Sequence, residues 1–330
     1  MLRGLYQNLT VAQSNIKTIN LFLAMKQFNL LIVAACILCL SFIAPAKHHY
    51  ISFRNADDLR SFLNLKTTGF PLISAHRGGP MAGFPENAIE TFENATTHQP
   101  VIIEFDVALS KDSALVIMHD DKLDRTSTGT GAIGNYTYAE LQKLTLKDDD
   151  GKVTPFKIPT LDQVLTWGKN KVLFTIDIKR GVPYAKIVAA VRRTKAENNS
   201  IIITYNANQA AEVHKLAPDL MISASARSVA DIERLNQMGV PNNRIVAFVG
   251  TSAPDKTVYE YLHSKGITCI LGTMGNLDKS AIANPNQKVY EQLLSNGADI
   301  ISTDELVLAG TQFDSYRTNK KLKFANLTVK

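Results

Sequence analysis

Beyond residue 70 the chain repeats one pattern. A short run of β-branched and aliphatic residues is followed by a longer stretch whose apolar positions recur every three or four residues. The apolar runs are PLISAH (71–76), VIIEFDV (101–107), VLFTIDIK (172–179), SIIITYN (200–206), LMISASA (220–226), RIVAFVG (244–250), TCILGTM (268–274) and DIISTDE (299–305). Amphipathic segments lie between them at 87–98, 161–168, 183–197, 207–216, 228–239, 255–266 and 286–297. Runs that are apolar on both faces, each with room for a crossover helix, predict a parallel sheet covered by helices. Eight such units predict an α/β fold closed as a TIM (β/α)8 barrel, where reactive groups gather at the C-terminal ends of the strands.

One irregular insertion, 108–160, follows the second strand. Its apolar run ALVIMHD (114–120) reads as a hairpin partner outside the barrel count. The basic tail from Tyr316 reads as surface packing or loosely ordered chain, and Trp167, in a helical segment, as packing. No internal repeat or inner boundary is visible, so 47–330 reads as a single domain.

Residues 1–46 read differently. From Met25, a candidate start, a short basic opening leads into an apolar run, Leu30–Ile43, and then the small-residue pattern Ala44-Pro45-Ala46. This predicts a secretory signal cut after Ala46, with export to a periplasmic or extracellular space. An uncleaved anchor giving membrane association is the alternative, although the run is shorter than the roughly 20 apolar residues a span prefers. Cys36 and Cys39 belong to this segment, which leaves Cys269 alone in the body and excludes a disulfide framework or cysteine metal cluster there. Half of the formal charge of +6 also belongs to it, through Arg3, Lys17 and Lys26. The remainder has no basic run longer than two residues, so nucleic acid is not an expected partner.

Polar residues cluster at the strand ends. His76 and Arg77 close the first and Thr303 and Asp304 the eighth; Glu104 and Asp106 sit two apart on the second and share a face, as do Asp177 and Lys179 on the third. Buried carboxylates repel one another unless a cation neutralises them. Glu104, Asp106 and Asp177 offer three hard oxygen ligands for Mg²⁺ or Ca²⁺; a salt-bridge cluster with Lys179, Arg77 and Arg125 is the other solution. His76 and His119 both end apolar runs and can exchange protons near neutral pH. A phosphodiester fits this set: Arg77, Lys179 and a metal would face its oxygens, and two histidines would serve as base and acid.

The segments HRGGPMAGFPENAIETF, IEFDVALSKDSALVIMHDDKLDRTSTGTG, FTIDIK and GADIISTDE, taken in this order, resemble the glycerophosphodiester phosphodiesterase family, which is built on a TIM barrel. The resemblance carries over His-Arg-Gly at 76–78, Pro-Glu-Asn at 85–87, Glu-x-Asp at 104 and 106, and His-Asp with a downstream Arg at 119–125. It implies His76 and His119 as catalytic acid and base, Arg77 and Lys179 on the substrate phosphate, Glu104, Asp106 and Asp177 on the cation, and Glu86 and Asn87 shaping the first loop. Asn87 is also a candidate helix cap. The implied activity is hydrolysis of glycerophosphodiesters to glycerol phosphate and an alcohol, within lipid metabolism. A glycerol hydroxyl is a possible nucleophile, through a cyclic phosphate.

Two positions depart from the family pattern. Asp177-Ile178-Lys179 stands where the family has Glu-x-Lys, although the related sphingomyelinase D group also has aspartate there. The seventh strand reads ILGTMGNLD (270–278) where Trp-Thr-x-Asn is common, so Thr273, Asn276 and Asp278 are candidates for hydrogen bonds to a different head group, against a plain glycine-rich loop. A phospholipase D-like lyase acting on intact lipids is the alternative chemistry. A catalytically silent protein that binds phosphate head groups is the alternative outside catalysis.

Overall fold

A computed structural model of the chain describes Lys26 and residues 46–64 and 69–330. Packing divides the chain into Met1–Ala46 and Lys47–Lys330. The predicted leader therefore lies outside the described residues, apart from Lys26 and Ala46. Among the described residues no helix is long and apolar enough to cross a membrane.

Eight parallel strands close on themselves: β1 (Leu72–Ala75), β2 (Val101–Leu109), β3 (Leu173–Ile178), β4 (Ser200–Thr204), β5 (Met221–Ser225), β6 (Ile245–Phe248), β7 (Thr268–Gly272) and β8 (Ile300–Thr303). Seven fall inside the apolar runs, and β2 starts with its run and continues two residues past it. The first and last pair in register, Leu72 opposite Ile300 and Ala75 opposite Thr303, and this closure makes the sheet a TIM barrel.

Strand alternation then sorts the interior into layers. Leu72, Ile102, Leu173, Ile201, Met221, Val246, Ile270 and Ile300, one from each strand, form an apolar plug that rests on Phe53, Leu59 and Phe62. Each fully buried side chain of this kind stabilises by roughly 1.5–3 kcal/mol. Two residues further along, the same inward track carries Ser74, Glu104, Thr175, Ser223 and Ser302. Two further still it reaches His76, Asp106, Asp177, Tyr205 and Asp304. The floor of the barrel supplies stability and the mouth supplies polar groups. The alternate residues, among them Ile73, Phe105, Phe174, Ile202, Leu271 and Ile301, face outward into the helical layer.

The predicted hairpin forms: Leu115–Ile117 pairs antiparallel with the end of β2. The insertion that it opens has its own apolar centre, with Val116, Met118, Leu123, Leu141, Leu146 and Ile158. Trp167 packs against Phe92 and Phe174.

Two segments differ from expectation. Tyr316 begins no loose tail, because the last helix runs Leu306–Asn319 and Arg317 is buried, donating to Pro71 O at 2.8 Å and to Gln99 Oε1 at 2.6 Å. Leu327–Val329 then pairs with His49–Ile51. The expected glycine-rich loop after β7 is brief, since a helix, Asn276–Ala283, starts directly behind Gly275, whose φ is 94°.

The turn after β1 needs glycine. Gly78 has φ 90°, and a Cβ there would lie 2.3 Å from two ring carbons of Phe92. Gly78→Ala should therefore cost about 2–4 kcal/mol from overpacking and an unfavourable backbone. Urea unfolding measures this, and a wild-type midpoint would contradict it.

Candidate active site

The turn that carries the first histidine is a single 3-10 turn, His76–Gly78, in which Arg77 is left-handed at φ 52°. That geometry sends the Arg77 backbone N–H to Glu104 Oε2 at 2.8 Å, while the Arg77 carbonyl accepts from the Asn87 N–H at 2.9 Å. Asn87 is itself left-handed, at φ 62°. Two non-glycine residues in this region mark a backbone held by its surroundings. Asn87 is not a helix cap. Ala88 takes that position without a side-chain bond, and the Asn87 amide instead donates to Asp106 Oδ2 at 2.9 Å and accepts from Asp106 N at 3.1 Å.

Glu104, Asp106 and Asp177 are all buried, and one ligand oxygen from each lies within 4.8 Å of the others. Burial and the neighbouring Asp106 charge push the Glu104 carboxyl up to about 8. Lys179 Nζ bridges the pair, 2.7 Å from Asp106 Oδ1 and 3.0 Å from Asp177 Oδ2. Burial disfavours its charge, but the two aspartates outweigh burial and raise its pKa. The remaining Asp177 oxygen accepts from the Tyr205 hydroxyl at 2.7 Å.

The salt-bridge solution is thus half met. Lys179 pairs with two of the acids, whereas Arg77 and Arg125 turn to Glu86. One ammonium against three carboxylates leaves a deficit of positive charge, and the donors are hard oxygens, so the residues fit Ca²⁺ or Mg²⁺. A second grouping, His263, Cys269 and Asp299, stands at the opposite end of the barrel. There Asp299 Oδ2 already accepts from His263 and from the Cys269 backbone, and burial keeps the Cys269 thiol protonated.

The two histidines are held alike. His76 Nδ1 lies 2.7 Å from Asp304 Oδ1, and His119 Nδ1 lies 2.7 Å from Asp120 Oδ1. Each pairing fixes the ring through Nδ1 and leaves Nε2 outside it. Burial alone would lower the His76 pKa; the Asp304 hydrogen bond and the charges of Glu104 and Asp304 outweigh it, and the net shift is upward. Arg125 binds Asp120 through Nε at 2.7 Å and holds that carboxyl well below its usual range. Arg125 also reaches Glu86 at 2.8 Å and 3.0 Å, and Glu86 accepts from Arg77 at 2.9 Å. Glu86 is buried, and the two guanidiniums overcome the effect of burial to lower its pKa. It therefore shapes the loop by tying the insertion, with His119, to the first turn, with His76.

Asp304, Asp278 and Tyr205 complete the set: Asp304 lies in the segment GADIISTDE, Asp278 in the departing stretch 270–278, and Tyr205 in no family segment quoted above. Asp278, buried, accepts from Asp304 N at 3.0 Å, Thr303 Oγ1 at 2.8 Å and Tyr290 OH at 2.9 Å, and so fixes the loop that holds His76. The signal for Tyr205 and Asp304 was available: each lies four residues past the plug residue of its strand. Thr273 and Asn276, candidates for substrate contact, take other places. The Thr273 hydroxyl is buried against Ser302 O at 3.0 Å, Asn276 is exposed at its helix start, and neither lines a cavity at the mouth.

Two cavities meet at His76. An outer groove of about 470 Å³ is lined by His76, Arg77, Glu86, Arg125 and Asp304. An inner one of about 130 Å³ is lined by Glu104, Asp177, Tyr205, Phe248 and a ring of hydroxyls that includes Ser74 and Thr175.

A parallel barrel with proton-transfer groups, cations and buried acids at its C-terminal mouth defines an enzyme. Residues 76–269, more than half of the chain, match the glycerophosphoryl diester phosphodiesterase family. A glycerophosphodiester phosphodiesterase from Caldanaerobacter subterraneus subsp. tengcongensis is 35% identical over 46% of this chain and 65% of its own length. One from Bacillus altitudinis is 29% identical over 70% of this chain and 94% of its own. The crystal structure of a glycerophosphoryl diester phosphodiesterase from Parabacteroides distasonis superposes with a TM-score of 0.76 at 31% identity, covering 84% of this chain and 96% of that one. The chain belongs to the glycerophosphoryl diester phosphodiesterase family, and so to the phosphoric diester hydrolases.

Removing the Asp304 carboxylate should take away the strongest influence that opposes burial at His76. In Asp304→Asn the imidazole should therefore titrate at lower pH than in the wild type, as followed by NMR of the His76 ring. An unchanged titration would contradict the assignment of Asp304 as its anchor.

Proposed function

We propose that this chain hydrolyses glycerophosphodiesters to glycerol phosphate and an alcohol, with a hard divalent cation, Ca²⁺ or Mg²⁺, held by Glu104, Asp106 and Asp177. The observation that carries the reading is the meeting of aspartate-held His76 with three buried acids at the barrel mouth, with aspartate-held His119 tied to the same turn through Asp120, Arg125 and Glu86. The relatives named for this activity support the substrate class. Bound there, the cation would neutralise the three acids and offer positive charge to a phosphate oxygen.

The chain's own groups do the rest. Arg77 Nε is buried without a hydrogen-bond partner, a donor suited to a phosphate oxygen. Lys179 brings a second cation to the same mouth. One histidine takes the proton from the attacking oxygen and the other gives a proton to the departing alkoxide, each through Nε2. The outer groove offers room for the alcohol portion of the diester. We propose export from the cytoplasm, because the basic start, apolar run and Ala-Pro-Ala pattern read as an export signal.

Purified chain supplied with a panel of glycerophosphodiesters should release glycerol phosphate, and EDTA should abolish release until Ca²⁺ or Mg²⁺ is restored. His76→Ala and His119→Ala should each lower kcat by about 10²–10⁴-fold. Turnover that is indifferent to EDTA, or unchanged in both histidine variants, would sink this mechanism.

A further inference from the structure

Each buried acid is held by one uncharged donor, and the three donors come from two places in the chain. Glu104 takes the Arg77 backbone N–H, Asp106 takes the Asn87 amide, and Asp177 takes the Tyr205 hydroxyl. The first two donors sit in the loop that carries His76. Tyr205 stands apart, one residue past the end of β4 and across the mouth.

We infer that Tyr205 is a positioning residue for the divalent cation, acting through Asp177; this rests on the cation site proposed above. Asp177 carries its carboxylate on a single methylene, and its oxygens are claimed by Lys179 and Tyr205 at 3.0 Å and 2.7 Å. Lys179 is shared with Asp106, and a bound phosphate would compete for its charge. The hydroxyl is therefore the one donor in this set committed to Asp177 alone. Donors of this kind fix the orientation of a ligating carboxylate, and their loss typically costs 10–100-fold in metal affinity or activity.

A packing role does not account for the geometry. Tyr205 leaves 58% of its surface open, so its ring adds little to the core, while its polar end is engaged. Its backbone is pinned independently, N–H to Gln209 Oε1 at 2.8 Å, and Asn206 behind it caps the following helix. The ring lies between the inner cavity and a shallow outer groove formed with Asn206, Arg227 and Asp231. Deleting one oxygen from this side chain should change the hold on Asp177 and little else.

Tyr205→Phe in the full chain tests this by titration with Mn²⁺, free ion being read by electron paramagnetic resonance. The dissociation constant should rise at least tenfold and the cation concentration for half-maximal activity should rise with it. The melting temperature in EDTA should be unchanged, which separates this role from one in packing. An Mn²⁺ affinity within twofold of wild type would overturn the inference, whatever turnover does. Wild-type chain that binds no divalent cation would instead remove the cation site and this inference together.

Discussion

The structure depends on a repulsion. Glu104, Asp106 and Asp177 bring three carboxylates within 4.8 Å of one another in a buried place, and a single ammonium, Lys179, stands among them. The displaced pKa of Glu104, up to about 8, records that imbalance. Such an arrangement is costly unless a further positive charge enters. The apolar plug beneath gives the barrel a source of stability that does not depend on the acids. This division lets the mouth be assembled for chemistry.

Around the acids, hydrogen bonds fix what charge alone would scatter. Two of the donors, Arg77 N–H and the Asn87 amide, come from left-handed residues, so backbone geometry is spent on holding carboxylates. Glu86 joins Arg77 to Arg125 and through Asp120 to His119, coupling the first turn to the insertion. Behind His76 a separate chain runs through Asp304 to buried Asp278, Thr303 and Tyr290. Each histidine thus has its own aspartate, and Glu86 links the two arms through Arg77 and Arg125.

Much of this was legible in the sequence because strand alternation and barrel closure are strong constraints. All eight apolar runs became strands, and the i, i+2 spacing of Glu104 with Asp106 and of Asp177 with Lys179 placed each pair on one face. Other features were not legible, for local reasons. Asn87 looked like a cap because it precedes a helix, yet its left-handed backbone sends the amide to Asp106. Asn276–Ala283 is too short and too weakly periodic to stand out behind two glycines. Arg317 looked like part of a basic tail, and only the fold shows the Pro71 carbonyl and the Phe70 and Phe313 rings that receive it. Asp304 stood out as a polar strand end without a partner assigned, whereas Tyr205 required counting along the inward track of its strand from the plug upward.

The central claim is that the folded barrel is incomplete without a cation among its three acids. Calorimetric unfolding of the chain at pH 8, first in EDTA and then in excess Ca²⁺ or Mg²⁺, tests it directly without reference to turnover. The account predicts a melting temperature higher by a few degrees with the cation, from binding confined to the folded state, and no such rise in a Glu104→Gln, Asp106→Asn double variant. A wild-type melting temperature indifferent to both cations would contradict it.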